Sequence, residues 1–211
     1  MIAAPAATAR GRRTRDALLD ATVELVSERG FHAVGIAEIG AAAGVSGAAI
    51  YRHYRNKDEL LVAVFERVVD ELLDGARTVL AEPGLDPAAR VAALVEAHVA
   101  FALAERRVIA IYDQEAHNLP PDHRRRVRRQ QAAYAAVWTD ALAALRADWT
   151  AADCRVAVHA VFGLINSVSD QRVAVSRDRQ ALLLQAMAFA ALARTPAPRQ
   201  QGSPRTAPPE S

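Results

Sequence analysis

Apolar positions along this chain recur every three to four residues for most of its length, and no stretch keeps a long two-residue alternation. That pattern predicts helices and no sheet, an all-α protein. Leu18, Ala21, Thr22 and Leu25 form one face of a first helix over about 14–29, stopped by Gly30. Ile36, Ile39 and Ala43 mark a short second helix over about 36–43. Ile50 and Tyr54, four apart, mark a third over about 47–54. Between these two, Gly44 can take the left-handed conformation that ends a helix, which glycine adopts without steric cost. Val45 fills the angle and Ser46 is a candidate N-cap. Asn56 followed three residues on by Glu59 reads as a capping box. It opens a long fourth helix with Leu61, Val64, Phe65, Val68 and Leu72 as its stripe. At about 1.5 Å per residue, such a helix can link two domains.

Glu82 to Pro87 is a break, with Asp86 as cap and Pro87 at the first position of helix 5, about 87–104. Helix 6 covers about 105–117. Leu119-Pro120-Pro121 separates it from helix 7, about 121–147. Thr150 and Asp153 can cap helix 8, which runs to about Ser169, and helix 9 covers about 177–194. Helix 8 (Val156, Val158, Val161, Phe162, Leu164, Ile165) and helix 9 (Leu182, Leu183, Ala186, Phe189, Ala190, Ala193) are apolar on more than one face. Helices of that kind must be covered all round. A homodimer through helices 8 and 9 is one way to cover them. The division expected is a first domain over 12–72, a second over 73–194, and disordered tails at 1–11 and 195–211, the last rich in Pro, Ser and Gln.

Composition narrows the classes. At 211 residues with a formal net charge of +2, the chain carries no general polycation character. A nucleic-acid contact must then come from where arginines are placed. Lys57 is the only lysine and Cys154 the only cysteine, which excludes an internal disulfide and a thiolate metal cluster and fits a reducing cytoplasm. No apolar run looks long enough to span a bilayer, and the leading residues put charge after the small apolar run, the wrong order for a signal peptide. There is no Walker loop, dinucleotide glycine fingerprint, H-E-x-x-H, G-x-S-x-G or Glu-x-x-His. The reading is therefore non-enzymatic, with no metal and no cofactor.

The second and third helices, joined by a glycine turn, read as a helix-turn-helix over about 35–54 whose third helix can enter the DNA major groove. An ordinary helical corner in an enzyme is the alternative. Arg10, Arg12, Arg13 and Arg15 form a basic arm suited to phosphate or an adjacent minor groove. Gly47, Ala48 and Ala49 leave the start of the third helix almost bare. Base reading then falls to Arg52 and His53, with Ala48 or Ala49 against a thymine methyl. Tyr51, Tyr54 and Lys57 hold phosphate or core. Lys57 is a cation in the first turn of a helix, where acids are favoured. A bound phosphate would explain it.

These residues resemble the TetR family of bacterial regulators. The likeness rests on Leu18, Ala21 and Leu25, Arg29-Gly30-Phe31, Ile36-Ala37-Glu38-Ile39, Ala42-Ala43-Gly44-Val45-Ser46, Ile50-Tyr51, His53-Tyr54 and Asn56-Lys57-Asp58-Glu59-Leu60. The resemblance implies an N-terminal DNA-binding domain, in which Gly35, Ser46 and Gly47 join the DNA-facing set. It also implies a larger C-terminal domain that binds a small ligand and forms the dimer. The chain departs from the family at Gly47, usually polar or basic, and at Val34-Gly35, near which the family usually has Thr or Ser.

Helix 7 carries the candidate ligand chemistry. Val127, Tyr134, Trp138 and Leu145 share one stripe, with Arg124 and Gln131 beside it. Together with Phe101, Tyr112, Phe162 and Asn166 they are expected to line a tunnel, with Arg124 and Arg128 at its mouth for a phosphorylated head group. Glu115 through Leu119-Pro120-Pro121, the arginine-rich start of helix 7 and Gly163-Leu164-Ile165-Asn166 also resemble TetR members that sense acyl-CoA thioesters. The function expected is a repressor that binds a palindromic operator as a homodimer and is released by an effector. A TetR-like activator, an acyl-CoA-handling enzyme and an interaction module with a vestigial helix-turn-helix are the rivals.

Overall fold

A computed structural model describes residues 9–169 and 174–193. Of the tails expected at 1–11 and 195–211, residues 1–8 and 195–211 lie outside the described residues. Nine α-helices are present among them, and no strand. They are α1 (Ala9–Arg29), α2 (Ile36–Ala42), α3 (Gly47–His53), α4 (Lys57–Ala81), α5 (Pro87–Ala104), α6 (Arg106–Glu115), α7 (Pro121–Leu145), α8 (Ala151–Asn166) and α9 (Arg177–Ala193). Short 3-10 turns follow α1 (Phe31–Ala33) and α8 (Ser167–Ser169).

The first helix begins five residues before its expected start, so 9–11 are helical and not tail. Thr14 lies inside the helix, its hydroxyl donating to the Arg10 carbonyl at 3.1 Å, one turn back. Arginine and alanine are good helix formers, so the basic arm extends the helix instead of leaving it. Gly30 and Gly44 stop α1 and α2 with φ of 79° and 66°. Gly40, not singled out by the sequence, lets the turn close on α2. A Cβ there would meet the Val45 carbonyl oxygen at 3.2 Å, while the Val45 amide donates to the Gly40 carbonyl at 2.8 Å.

Caps agree with expectation at α5 and α8 and differ at α3 and α4. Asp86 accepts from the Ala89 amide, and Thr150 and Asp153 cap each other. Ser46 stands at the N-cap position of α3, but its hydroxyl makes no capping bond; only its carbonyl accepts, from Ala49 and Ile50. Asn56 accepts from the Glu59 amide at 2.9 Å, whereas Glu59 reaches past it to the Arg55 amide at 2.8 Å.

Two cores fill the molecule. The first gathers Leu18, Val26, Phe31, Ile39, Ile50 and Leu60. The second gathers Leu94, Val99, Trp138, Leu142, Val158 and Leu192. They meet along α4, where Leu60–Phe65 belong to the first core and Val69 and Leu73 to the second. The two cores thus change over between Phe65 and Val69, within an unbroken helix. The first core also takes Val108 and Ile111 of α6, Leu119, and Val127 of α7. Glu66 of α4, buried, is bound by both nitrogen arms of Arg126 on α7.

The stretches Pro87–Ala104 and Ala151–Ser169 are, by length and composition, long and apolar enough to cross a membrane. That corrects the expectation that none is. In the fold α5 turns Leu94, Val95 and Val99 into the second core. The α8 helix buries Val158, Val161 and Ile165 and leaves Val156 71% exposed.

Lys57 is not turned to solvent. Its Nζ donates to the Phe31 carbonyl at 2.8 Å and the Val34 carbonyl at 3.3 Å, and lies 4.5 Å from the centre of the Phe31 ring. The 3-10 turn supplies the negative ends that the helix dipole does not. Lys57→Met should lower stability by about 2 kcal/mol, the scale of a charge-assisted bond left unmade. Urea unfolding checks this, and unchanged stability would count against the staple.

Candidate functional site

Two places carry chemistry. The first surrounds α3. Tyr51 is 57% exposed, and Arg52, His53, Ser46 and Gly35 are exposed around it. Gly35 has extended backbone, and its amide donates to Glu38 Oε2 at 2.7 Å. A side chain at 35 would press on that carboxylate, since a Cβ would lie 3.3 Å from it. Gly47 and Ala48 lie in the first turn of α3, with side chains outside the described residues, and Ala49 is half-buried. Beside α3 an open cleft of about 1090 Å³ is lined by Arg12, Arg15, Arg52, Arg55 and Arg126, with Glu59 as its acid. Arg12, on the early part of α1, and Arg52, on α3, thus face one basic surface. Lys57 is the exception in the expected set, because its ammonium is turned inward to the Phe31–Val34 carbonyls.

The second place is a cavity of about 250 Å³ among α4, α5, α6, α7 and α8. Six residues expected at a ligand site line it: Phe101, Tyr112, Gln131, Tyr134, Phe162 and Asn166. The Tyr112 hydroxyl donates to Gln131 Oε1 at 2.9 Å. Three expected residues are elsewhere. Trp138 is 2% exposed and backs the cavity, with its ring edge-on to Phe162 at 5.1 Å and to His98 at 5.7 Å. Arg124 donates to the His117 carbonyl at 2.9 Å and so ties the α6–α7 connection. Arg128 is exposed on α7 outside the lining. Helical periodicity set these three near the stripe but could not say which layer each would reach.

His98, in an apolar stretch of α5, carries no ligand signal of its own in the sequence. It is buried and lines the cavity, and its ring lies nearly parallel to those of Tyr134 and Phe162, the three centroids forming a triangle with sides of 5.7, 4.9 and 5.3 Å. Its Nδ1 is 2.9 Å from the Tyr134 hydroxyl and its Nε2 is 3.2 Å from Asn166 Oδ1. An amide oxygen can only accept, so Nε2 carries the proton and Tyr134 donates to Nδ1. Burial holds the His98 pKa down to about 4, and burial pushes the Tyr134 phenol up. Both are neutral near pH 7. The signal available was spacing: His98 and Phe101 are three apart on α5 and share a face. Asp113, His159 and the α4 residues Phe65 and Val68 complete the wall without having been expected there.

A small helix-turn-helix domain joined by one long helix to a helical domain holding an apolar cavity is the architecture of a ligand-sensing bacterial regulator. The family model described as "Bacterial regulatory proteins, tetR family" matches residues 18–64. The one described as "Tetracyclin repressor-like, C-terminal domain" matches residues 84–170. The chain belongs to the TetR family. It is 42% identical over 87 residues to the HTH-type transcriptional activator FasR of Mycolicibacterium smegmatis, covering 41% of this chain and 39% of that one. It is 32% identical over 114 residues to the HTH-type transcriptional repressor KstR2 of Rhodococcus jostii, covering 54% of each. The matches thus span about half or less of these relatives. The fold is also that of AibR, solved in complex with isovaleryl coenzyme A and operator DNA, with a TM-score of 0.69 at 19% identity over 83% of this chain and 98% of that one.

His98 makes stability depend on pH. Its folded pKa lies below the usual 6.5, so the unfolded chain takes up a proton that the folded chain refuses. Its contribution is complete above about pH 6.5 and is lost as pH falls towards 4, amounting to roughly 3 kcal/mol over that window. In urea unfolding between pH 7 and 4.5, His98→Gln should flatten the fall in stability. Parallel pH profiles for the two proteins would show that His98 is not the group responsible.

Proposed function

We propose that this protein is a ligand-responsive transcriptional repressor of the cytoplasm, without catalytic activity, which binds a palindromic operator as a homodimer and is released by a small effector. The observation that carries the reading is a shared wall. Phe65 and Val108 line the cavity and are also buried members of the helix-turn-helix core, and Tyr112 lines it while packing on that core. Phe65 and Tyr112 meet edge to face at 5.1 Å. A ligand that moves this wall moves the packing under α3. It therefore binds better to one spacing of the two recognition helices than to the other, which is all a population shift requires.

Exposed apolar residues support the dimer: Val156 on α8, and Leu182, Leu183 and Met187 on α9, the last three 42–58% exposed. Polarity follows from which state the effector favours. FasR is named an activator and KstR2 a repressor, and the same device serves either. The effector class we propose is an acyl-CoA thioester, with the acyl group in the cavity and the coenzyme outside it, over the α7 surface that carries Arg128. The acyl-CoA complex of AibR supports that class.

Genomic footprinting should give a two-fold symmetric element whose occupancy falls steeply with salt. Arg52→Ala should weaken that element about tenfold while leaving random DNA nearly unchanged, as expected for a base-reading arginine. Absence of any symmetric element would remove the regulatory reading. Equal losses on both DNAs would remove base reading by Arg52 alone.

A further inference from the structure

The cavity has an unusual balance of charge. Among its lining residues there is no lysine and no arginine, and the one carboxylate is Asp113. Two histidines line it: His98 is buried and held neutral, whereas His159 is exposed on α8. An anionic ligand group placed beside the buried His98 would lose its water and meet no lysine, arginine or charged histidine there, at a cost that a buried site of this kind does not offset.

The wall is nevertheless polar at one point. Tyr134, His98 and Asn166 form a chain of two hydrogen bonds, at 2.9 and 3.2 Å. Its polarity is fixed by the Asn166 oxygen accepting from His98. The Asn166 amide nitrogen then has two N–H groups, neither used within the chain. Because His98 holds the oxygen end of the amide, rotating the amide to present its oxygen instead would break that bond. The cavity therefore offers one oriented donor in a setting of Phe65, Val68, Phe101, Ile109 and Phe162.

We propose that Asn166, held by His98 and Tyr134, reads a neutral carbonyl oxygen, so that the site takes a ketone, ester or thioester and rejects the corresponding free acid. This rests on the reading of the cavity as an effector site and names what part of the effector that site inspects. The thioester of an activated acyl group is recognised, and its hydrolysis product is not. Asn166 is a specificity-determining residue; His98 and Tyr134 are positioning residues, acting through it.

Three probes of one shape test this: methyl 3-phenylpropanoate, 3-phenylpropanoate and butylbenzene, titrated into the full-length protein at pH 7.5 with binding followed by calorimetry. The ester should bind about tenfold or more tightly than either the carboxylate or the hydrocarbon. Asn166→Leu should bring the ester down to the level of the hydrocarbon, with helix content and melting confirming that the variant is folded. His98→Gln should lose part of the preference by freeing the amide to rotate. Equal affinity of the wild-type protein for ester and hydrocarbon, tighter binding of the carboxylate, or no binding of any probe would overturn the proposal, whatever the variants do. Operator release is read separately on the same samples. An ester preference without release would leave the carbonyl reading standing and remove induction through this cavity. Release by ester and hydrocarbon alike would do the reverse.

Discussion

The arrangement depends on one helix being buried at both ends in different surroundings. The unbroken α4 puts Leu60 to Phe65 into the core under the recognition helix and Val69 and Leu73 into the core of the larger domain. Close-packed interiors transmit displacement because they cannot absorb it. A flexible linker at the same place would have made the two domains independent. Here the cavity opens beside the stretch where the cores change over, and α6 and α7 reinforce the join: Ile111 and Val127 are buried in the first core, and Arg126 closes on the buried Glu66.

Much of the fold was legible in the sequence, for identifiable reasons. The helices announce themselves through apolar spacing, and the breaks through Gly30, Gly44, Asp86-Pro87 and Thr150-Asp153, each with a local mechanism that needs no tertiary information. Failures occur where a side chain has two possible partners. Lys57 could serve a phosphate or the backbone carbonyls of Phe31 and Val34, and only folding brings that turn within reach of it. Glu59 could cap Asn56 or reach the amide before it. The early start of α1 is a propensity effect, Ala9, Arg10, Arg12 and Arg13 continuing the helix upstream of its expected start.

The ligand site shows the same division. Phe101, Tyr112, Tyr134, Phe162 and Asn166 converge because each sits on the apolar side of its helix, which periodicity reports. Depth is not reported by periodicity. Trp138 and Tyr134 are four apart on one stripe, yet only Tyr134 reaches the cavity. The sequence places arginines on α7 without showing whether they can leave solvent; Arg124 ends on a loop carbonyl and Arg128 stays outside. A histidine in an apolar run is usually a satisfied core residue, so sequence alone gives His98 no role. His98 is such a residue, and its satisfaction through Tyr134 and Asn166 is also what gives it a role.

The cavity's two walls differ in what else they do. Phe65, Val108 and Tyr112 also pack the core that carries the recognition helix, whereas His98, Phe101, Phe162 and Asn166 lie on α5 and α8, away from it. Mutational change is therefore partitioned. The α5–α8 side can drift towards new ligands at little expense to operator affinity, while the α4–α6 side is held nearly fixed by a second duty. In a lineage of such regulators, chemical diversity would accumulate on one side of the chamber and the other would keep a common lining.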